Sequence, residues 1–496
     1  MLVLAGTLVR LVYGLYTQPW MGSADQMAWG MVLDEMVKSG SWSYRQLIHY
    51  PHEGGSLGIS LATLLIKPIP WGIPPLSIIL LLADAGSRFI QLKITRQIWG
   101  ATTATWLGIW SVFSIPLLLP WGMAYTGLHA LSAFWPFVLI YVIWKLPNTT
   151  SQAVYAGLVT GLSISFGYDN LIFIPFYILG TLIYKAGYRA KLQHILIFIG
   201  ISFLVLVPHI ILKLWVNNGF ILQQAGKFAI RDTGVVLSPG KLSFTRWLQV
   251  WFHSVPLFFR IWLPAWMNQV VQYILPGVFL VFGLVLASWK LGKSNRAIFL
   301  AMGLVGLFLS IYAVSPFYEK LEVPVHAVSA RHFSYIFPLM MAILAHGFCS
   351  YARWPRWVLA GFILVFAWSG IQYAELQHQI KPKPYKGVGW VLAAKFGNES
   401  DKLIQLAAMG DTIHRVEILE GLGWGLAAQT LNHAPADDSV HIEQLVHIVS
   451  QFPPNDYRTL TEGVHFAFCA GVTPVLQPRL ESRYNTALLL HGIKFE

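Results

Sequence analysis

Residues 21–42 read MGSADQMAWGMVLDEMVKSGSW, and they set Asp25, Asp34 and Glu35 directly after the first apolar run of the chain. His49, His52 and Glu53 follow within the next few residues. A carboxylate or imidazole held just outside a membrane segment can act as a general base toward an acceptor. Ser23-Ala24-Asp25-Gln26 also has the form of a capping box, with Ser at the N-cap and Gln three residues later. Asp25 then falls in the first helical turn, where the helix dipole favours an ionised carboxylate. Capping by itself accounts for an acid at this spot. A base facing a cavity roofed by the first loop is the other reading, and these residues alone leave both open.

Inside the apolar runs the exceptions are Asp84 and Arg88, spaced i,i+4 on one helical face so that they can pair. Charges within a membrane are functional candidates, but an Arg near the end of a span can snorkel and leave a structural ion pair. Asp169, in FGYDNLIF, reads as an external loop-end residue. No metal is demanded: Asp-x-Asp is absent and the 16 His are dispersed. No cofactor is implied. The two cysteines, Cys349 in an apolar run and Cys469 in the tail, have neither metal-ligand spacing nor the look of a structural disulfide.

The elements that would position these residues are membrane helices. The chain has 496 residues, 55% hydrophobic and 11% charged, against about 25% charged in soluble domains; its mean hydropathy is +0.56. The fold class expected is therefore an all-α polytopic membrane protein. Before Glu375 the sequence holds 24 Lys+Arg and 9 Asp+Glu, and from Glu375 onward 10 and 13. The basic excess belongs to the membrane part and gives no support to nucleic-acid binding. Arg10 interrupts the run Leu2–Thr17 and no basic segment precedes it, which favours a retained first span over a cleaved signal.

Later apolar runs lie near 73–92, 101–119, 127–146, 153–167, 170–185, 192–216, 269–289, 297–315, 333–352 and 357–374. Most approach the roughly 20 residues a crossing needs. One set of connections holds Lys93 and Arg96, Lys145, Lys185, Arg189 and Lys191, Lys290, Lys293 and Arg296, and Arg353 and Arg356, with no acid among them. The alternate set holds Asp25, Asp34, Glu35, Glu53, Asp169, Asp232, Glu319 and Glu322. Placing the first set in the cytoplasm satisfies the positive-inside rule with about 11 crossings, the N-terminus inside and the C-terminus outside. The stretch 56–70 stays undecided between a crossing and a helix that dips in and returns. Residues 1–375 then form the membrane domain, with external loops 18–55, 217–268 and 316–332.

The tail, 376–496, is polar enough to be a separate external domain. YKGVGWVLA begins at Tyr385, LEGLGWGLA at Leu419 and LTEGVHFAF at Leu460. Spacings of this order suggest helix pairs stacked as a short helical repeat, with glycines letting helices approach closely. Two roles remain open, a docking surface for a protein partner and a helical cap on the membrane domain.

The wider pattern adds a resemblance. An apolar span with an Arg-Leu element is followed by a short loop, an Asp, a short helix and SGSW. IHYPHEGGSLGISLATLLIKPIP then leads back to the membrane, and RFIQLKITRQIWGATTATWLGIWSVFSIP and SARHFSYIFPLMMAILAHG come later. Over residues 1–375 this arrangement resembles the GT-C superfamily of membrane glycosyltransferases, of the protein O-mannosyltransferase and aminoarabinose-transferase type. The resemblance implies transfer of a sugar from a polyprenyl-phosphate donor, with membrane lipid around it, at the outer face of a bacterial inner membrane. It implies Asp25 as the catalytic base, Arg331 as the contact to lipid phosphate, and His52, beside Glu53, near the substrate. Such a donor carries an activated leaving group, so a base for the acceptor proton and a cation for the departing phosphate suffice. Asp25-Gln26 stands where many members have Asp-Glu, which makes an inactive relative the alternative, a non-catalytic subunit docking a partner through its tail. A transporter ranks third, since repeats of spans and broken helix pairs are not evident.

Overall fold

The computed structural model of the chain describes residues 1–19, 24–40, 55–66, 73–113, 119, 122–123, 129–146, 149–184, 187–216, 248, 269–289, 296–314, 333–349, 353–379, 384–397, 399–409, 412–433, 438–471 and 477–493. All regular structure among them is helical. In chain order the helices are α1 Leu2–Thr17, α2 Ala24–Ser39, α3 Gly55–Ile66, α4 Pro75–Trp99, α5 Ala101–Phe113, α6 His129–Ser132, α7 Trp135–Lys145 and α8 Thr150–Phe166. A 3-10 turn at Tyr168–Ile172 precedes α9 Phe173–Tyr184, α10 Tyr188–Val216, α11 Gln269–Trp289, α12 Arg296–Val314, α13 Phe333–Cys349 and α14 Arg353–Gln379. Six helices complete the chain: α15 Pro384–Phe396, α16 Ser400–Ala408, α17 Thr412–His433, α18 Asp438–Ser450, α19 Tyr457–Gly471 and α20 Gln477–Leu490.

Three stretches among the described residues are long and apolar enough to cross a bilayer: Pro75–Trp99, Arg189–Leu212 and Pro355–Glu375. Shorter apolar helices include Leu2–Thr17, His129–Lys145, Arg296–Ile311 and Ser334–Cys349. With the composition, they define an all-helical integral membrane protein. The stretch left undecided from sequence overlaps α3, 12 residues long, or about 18 Å at 1.5 Å per residue.

Local chemistry sets the ends of the long helices. Pro75 at the first position of α4 supplies a preset φ where no donor is needed. Gly100, at φ 90°, ends the helix while its N–H still reaches Arg96 O at 3.2 Å, a backbone angle L-residues avoid. Lys93 and Arg96, placed in a loop by the hydropathy pattern, are in the last turns of α4. Both are good helix formers, and no Gly or Pro lies between Gly86 and Gly100. Gln18, in the left-handed region at φ 46°, closes α1 with its N–H on Gly14 O at 2.7 Å.

The chain divides into two units. The first comprises Met1–Gln18, Trp42–Ile221 and Ser238–Ile380. Its core runs through α13, where Tyr335, Ile336, Phe337 and the residues from Leu339 to Ala345 are buried on all sides. A helix apolar all round is an interior helix. α8 packs on α10 through Gly157 and Gly161, where an added β-carbon would come within 2.8 Å of Phe198 O and Ser202 O. This small-xxx-small spacing is the close-approach device of membrane helices.

The second unit comprises Pro19–Ser41, Leu222–Leu237 and Lys381–Glu496. The three glycine-containing motifs of the tail fall on α15, α17 and α19, and α17 packs on both of the others. The helices meet backbone to backbone: a β-carbon on Gly389 would strike Ile418 O, one on Gly421 would strike Lys386 O, and one on Gly463 would strike Glu420 O. Gly423 lies against Leu460 O and Gly425 against Trp390, so two faces of α17 are cleared of side chains. Beside the seam, Lys386 pairs with Glu420, its ammonium 3.9 Å from the Phe466 ring centroid, and Arg415 pairs with Asp456 at 2.6 Å.

α2 also belongs to this unit and packs on α15. Gln26, Trp29, Leu33 and Met36 are buried, at spacings of three, four and three that make one stripe of the helix. On α15, Lys386, Gly389, Trp390 and Ala393 lie toward α17, while Gly387 and Val391, also buried, lie on a different face.

Candidate functional site

The residues chosen from sequence are described only in part. α2 begins at Ala24, so Asp25 is in its first turn as the capping pattern requires; its side chain lies outside the described residues, as do Ser23, His52, Glu53 and Arg331. α3 opens just after Glu53, and α13 opens at Phe333, two positions beyond Arg331. Asp34 is exposed on α2. Among the described residues no group of three or more His, Cys, Asp or Glu is arranged to hold a metal ion.

Two polar clusters lie inside the first unit. In one, Asp84 Oδ2 lies 2.8 Å from Arg88 Nε and 3.1 Å from Arg10 Nε. The side chains of Arg10, Arg88 and Asp84 are 4%, 5% and 13% exposed, so two guanidiniums share one carboxylate away from water. The i,i+4 pair read from the sequence is therefore present, and Arg10 is its third member. Arg88 does not snorkel, because α4 continues to Trp99 and leaves it near the middle of the helix.

Further guanidinium donors bond to helix backbone and to a hydroxyl. Arg10 donates to Gly6 O at 3.2 Å and Ser111 O at 3.0 Å. Arg88 donates to Thr7 Oγ1 at 3.0 Å and Val3 O at 3.4 Å. Gly6 and Gly122 make room: a β-carbon on the first would overlap the Arg88 guanidinium, and one on the second would come within 2.6 Å of Arg10 Cδ. A net positive charge of one is thus closed in by α1, α4 and α5. The cluster ties these helices together through the bonds of its two guanidiniums. Arg10 was visible in the sequence only as a cation breaking an apolar run, which by itself marks an intramembrane partner.

The second cluster joins α6, the 3-10 turn and α13. His129 Nδ1 is bonded to Asp169, both side chains largely buried. Asn170 donates to Ser163 O at 2.8 Å and to Gly167 O at 2.9 Å, and accepts from the Tyr335 hydroxyl at 2.8 Å. The turn carrying Asp169 is thereby fixed to the first turn of α13, four positions after Arg331. Asp169, expected from sequence at the end of an external loop, lies within the 3-10 turn, and its pairing with His129, 40 residues earlier, has no local sequence signal.

The fold and these clusters define an all-helical integral membrane protein with buried ionic ties between its helices. No family model matches the chain, and no curated protein does. Among solved structures the chain is similar to the oligosaccharyltransferase of Archaeoglobus fulgidus in its apo form, at 10% identity and TM-score 0.41, over 80% of this chain and 59% of that one. It is also similar to the archaeal oligosaccharyltransferase AglB from Archaeoglobus fulgidus in complex with an inhibitory peptide and a dolichol-phosphate, at 12% identity and TM-score 0.40, over 88% of this chain and 60% of that one. The chain thus spans about three fifths of the length of these structures. A superposition this loose sets no residue of one chain against a residue of the other.

Proposed function

We propose that the chain is a GT-C-type membrane glycosyltransferase that moves a sugar from a polyprenyl-phosphate donor to an acceptor at the external face of the membrane. In this reading Asp25 takes the acceptor proton, Arg331 holds the donor phosphate, and His52 and Glu53 line the substrate site. The proposal includes about 11 crossings of a bacterial inner membrane, a membrane domain 1–375 with the N-terminus inside, and an external tail 376–496 of helical repeats. The observation that supports it best is the carboxylate residue in the first turn of α2, a helix that starts seven positions after α1 ends. That is the place the GT-C resemblance gives to the base, at a helix N-terminus that keeps a carboxylate ionised.

A second reading is a non-catalytic subunit that docks a protein partner through residues 376–496. The packing of α2 on α15 favours it, because the helix bearing Asp25 is itself built into the tail unit. Purified protein given labelled polyprenyl-phosphate sugars separates the two. Asp25→Asn should abolish transfer with little change in thermal stability, since Asn still suits a helix start but takes no proton. Full transfer by Asp25→Asn ends the base assignment. Absence of transfer by the wild-type chain with every lipid-linked sugar, together with a partner lost on truncating the tail, moves the conclusion to the subunit.

A further inference from the structure

Where α4 and α7 end, the first unit has a recess of about 580 Å³ lined by Gln97, Tyr141, Trp144 and Lys145. Ligand sites commonly measure about 300–1,000 Å³. The Lys145 ammonium donates to the Tyr141 hydroxyl at 3.0 Å and lies 5.4 Å from that ring's centroid. The rings of Tyr141 and Trp144 are 6.1 Å apart and tilted. Lys93 and Arg96, four positions and one position before Gln97, are exposed on the same end of α4. Among the described residues no carboxylate pairs with Lys93, Arg96 or Lys145.

Three cations without an acid, an amide and two amphipathic rings at the end of a membrane helix make an environment for a phosphate group. The face of α4 leading to the recess decides what carries that phosphate. Leu82 and Phe89 are exposed large apolar side chains, and at helical spacing they give way to Lys93 and Gln97 on one stripe. Apolar residues followed within about 12 Å by cations and an amide match an amphiphile lying along the helix. A free anion would use only the polar end.

We propose that this recess is a binding site for an anionic phospholipid, its phosphate held by Lys145, Gln97 and the neighbouring Lys93 and Arg96, and its chains against Phe89 and Leu82. The site is independent of sugar transfer. Its test uses the full chain in nanodiscs of phosphatidylcholine containing phosphatidylglycerol, followed by mass spectrometry of the lipid retained after detergent extraction. Each basic residue near an anionic surface contributes about a fivefold preference. The triple variant Lys93→Gln/Arg96→Gln/Lys145→Gln should therefore lose at least about tenfold of the phosphatidylglycerol enrichment. Lys402→Gln, an exposed neutralisation in the tail, should keep it, and Lys145→Arg should keep most of it. Equal enrichment in the wild type and the triple variant overturns the site. Displacement of phosphatidylglycerol by inorganic phosphate at matched ionic strength overturns the lipid and leaves a free-phosphate site.

Discussion

Removal of the Asp84 charge should unfold the membrane part more easily than removal of the whole ionic cluster. The carboxylate lies 2.8 and 3.1 Å from two guanidinium nitrogens. At an effective dielectric of about 20 and about 4 Å between charge centres, each attraction is worth about 4 kcal/mol. Desolvation of three buried charges offsets much of that, so the intact cluster contributes little net stability. Asp84→Asn changes the balance: Asn still accepts one hydrogen bond, but two guanidiniums then face each other without a counter-charge. Breaking a buried pair in this way costs about 3–5 kcal/mol. Replacing the set with apolar residues, Arg10→Met/Asp84→Leu/Arg88→Met, is expected to be neutral or stabilising by about 1–4 kcal/mol. The assay is equilibrium unfolding in detergent micelles, followed by tryptophan fluorescence. An Asp84→Asn protein as stable as wild type, or a triple variant as unstable as the single one, would refute the account of the cluster as a closed electrostatic tie.

In the tail, Gly421→Val should destabilise the second unit by about 1–3 kcal/mol or more through overpacking against Lys386 O, read as faster hydrogen exchange across 384–396 and 412–433 in the full chain; unchanged exchange would contradict the close packing. Tyr484 is buried, which pushes its hydroxyl up from the ordinary value of 10.0. Its neutral form is favoured in the fold, so its contribution is complete below about pH 10, where unfolded Tyr ionises, and declines above. The stability gap between wild type and Tyr484→Phe should accordingly shift in favour of Phe as pH rises above 10, and a pH-independent gap would rule that out. For topology, single cysteines in a background lacking Cys349 and Cys469 should resist an impermeant thiol reagent at Gly187 and react at Ser400 in intact cells. The opposite pattern reverses the orientation.

Local rules carried much of the helical layout into view. The start of α2 at Ala24 followed from Ser23-Ala24-Asp25-Gln26, and the buried pair on α4 followed from i,i+4 spacing. In the tail, the motifs beginning at Tyr385, Leu419 and Leu460 marked the three helices that pack together, but not which of their glycines meet a neighbouring backbone, namely Gly389, Gly421, Gly423, Gly425 and Gly463. Those close approaches are set by the rotation of α15 and α19 against α17, which motif spacing does not encode. Arg10 could be seen as an unusual residue, but its partner is 74 positions away, and only packing of α1 on α4 brings them together. The His129–Asp169 pair depends in the same way on where α6 and the 3-10 turn meet. For the proposed base, sequence and structure agree on a helix start and no more, because a side chain's role depends on what faces it.

The assignment of α2 to the tail unit has a consequence for how the protein is made. α2 leaves the ribosome early, while α15, the helix it packs on, follows only after the greater part of the chain. At about 5–20 residues per second, that interval is roughly 20–70 s. Throughout it the buried stripe of Trp29, Leu33 and Met36 has no α15 to pack on. Biogenesis of the second unit therefore includes a long-range joining step, and a ribosome that stalls before residue 384 leaves α2 without its mate.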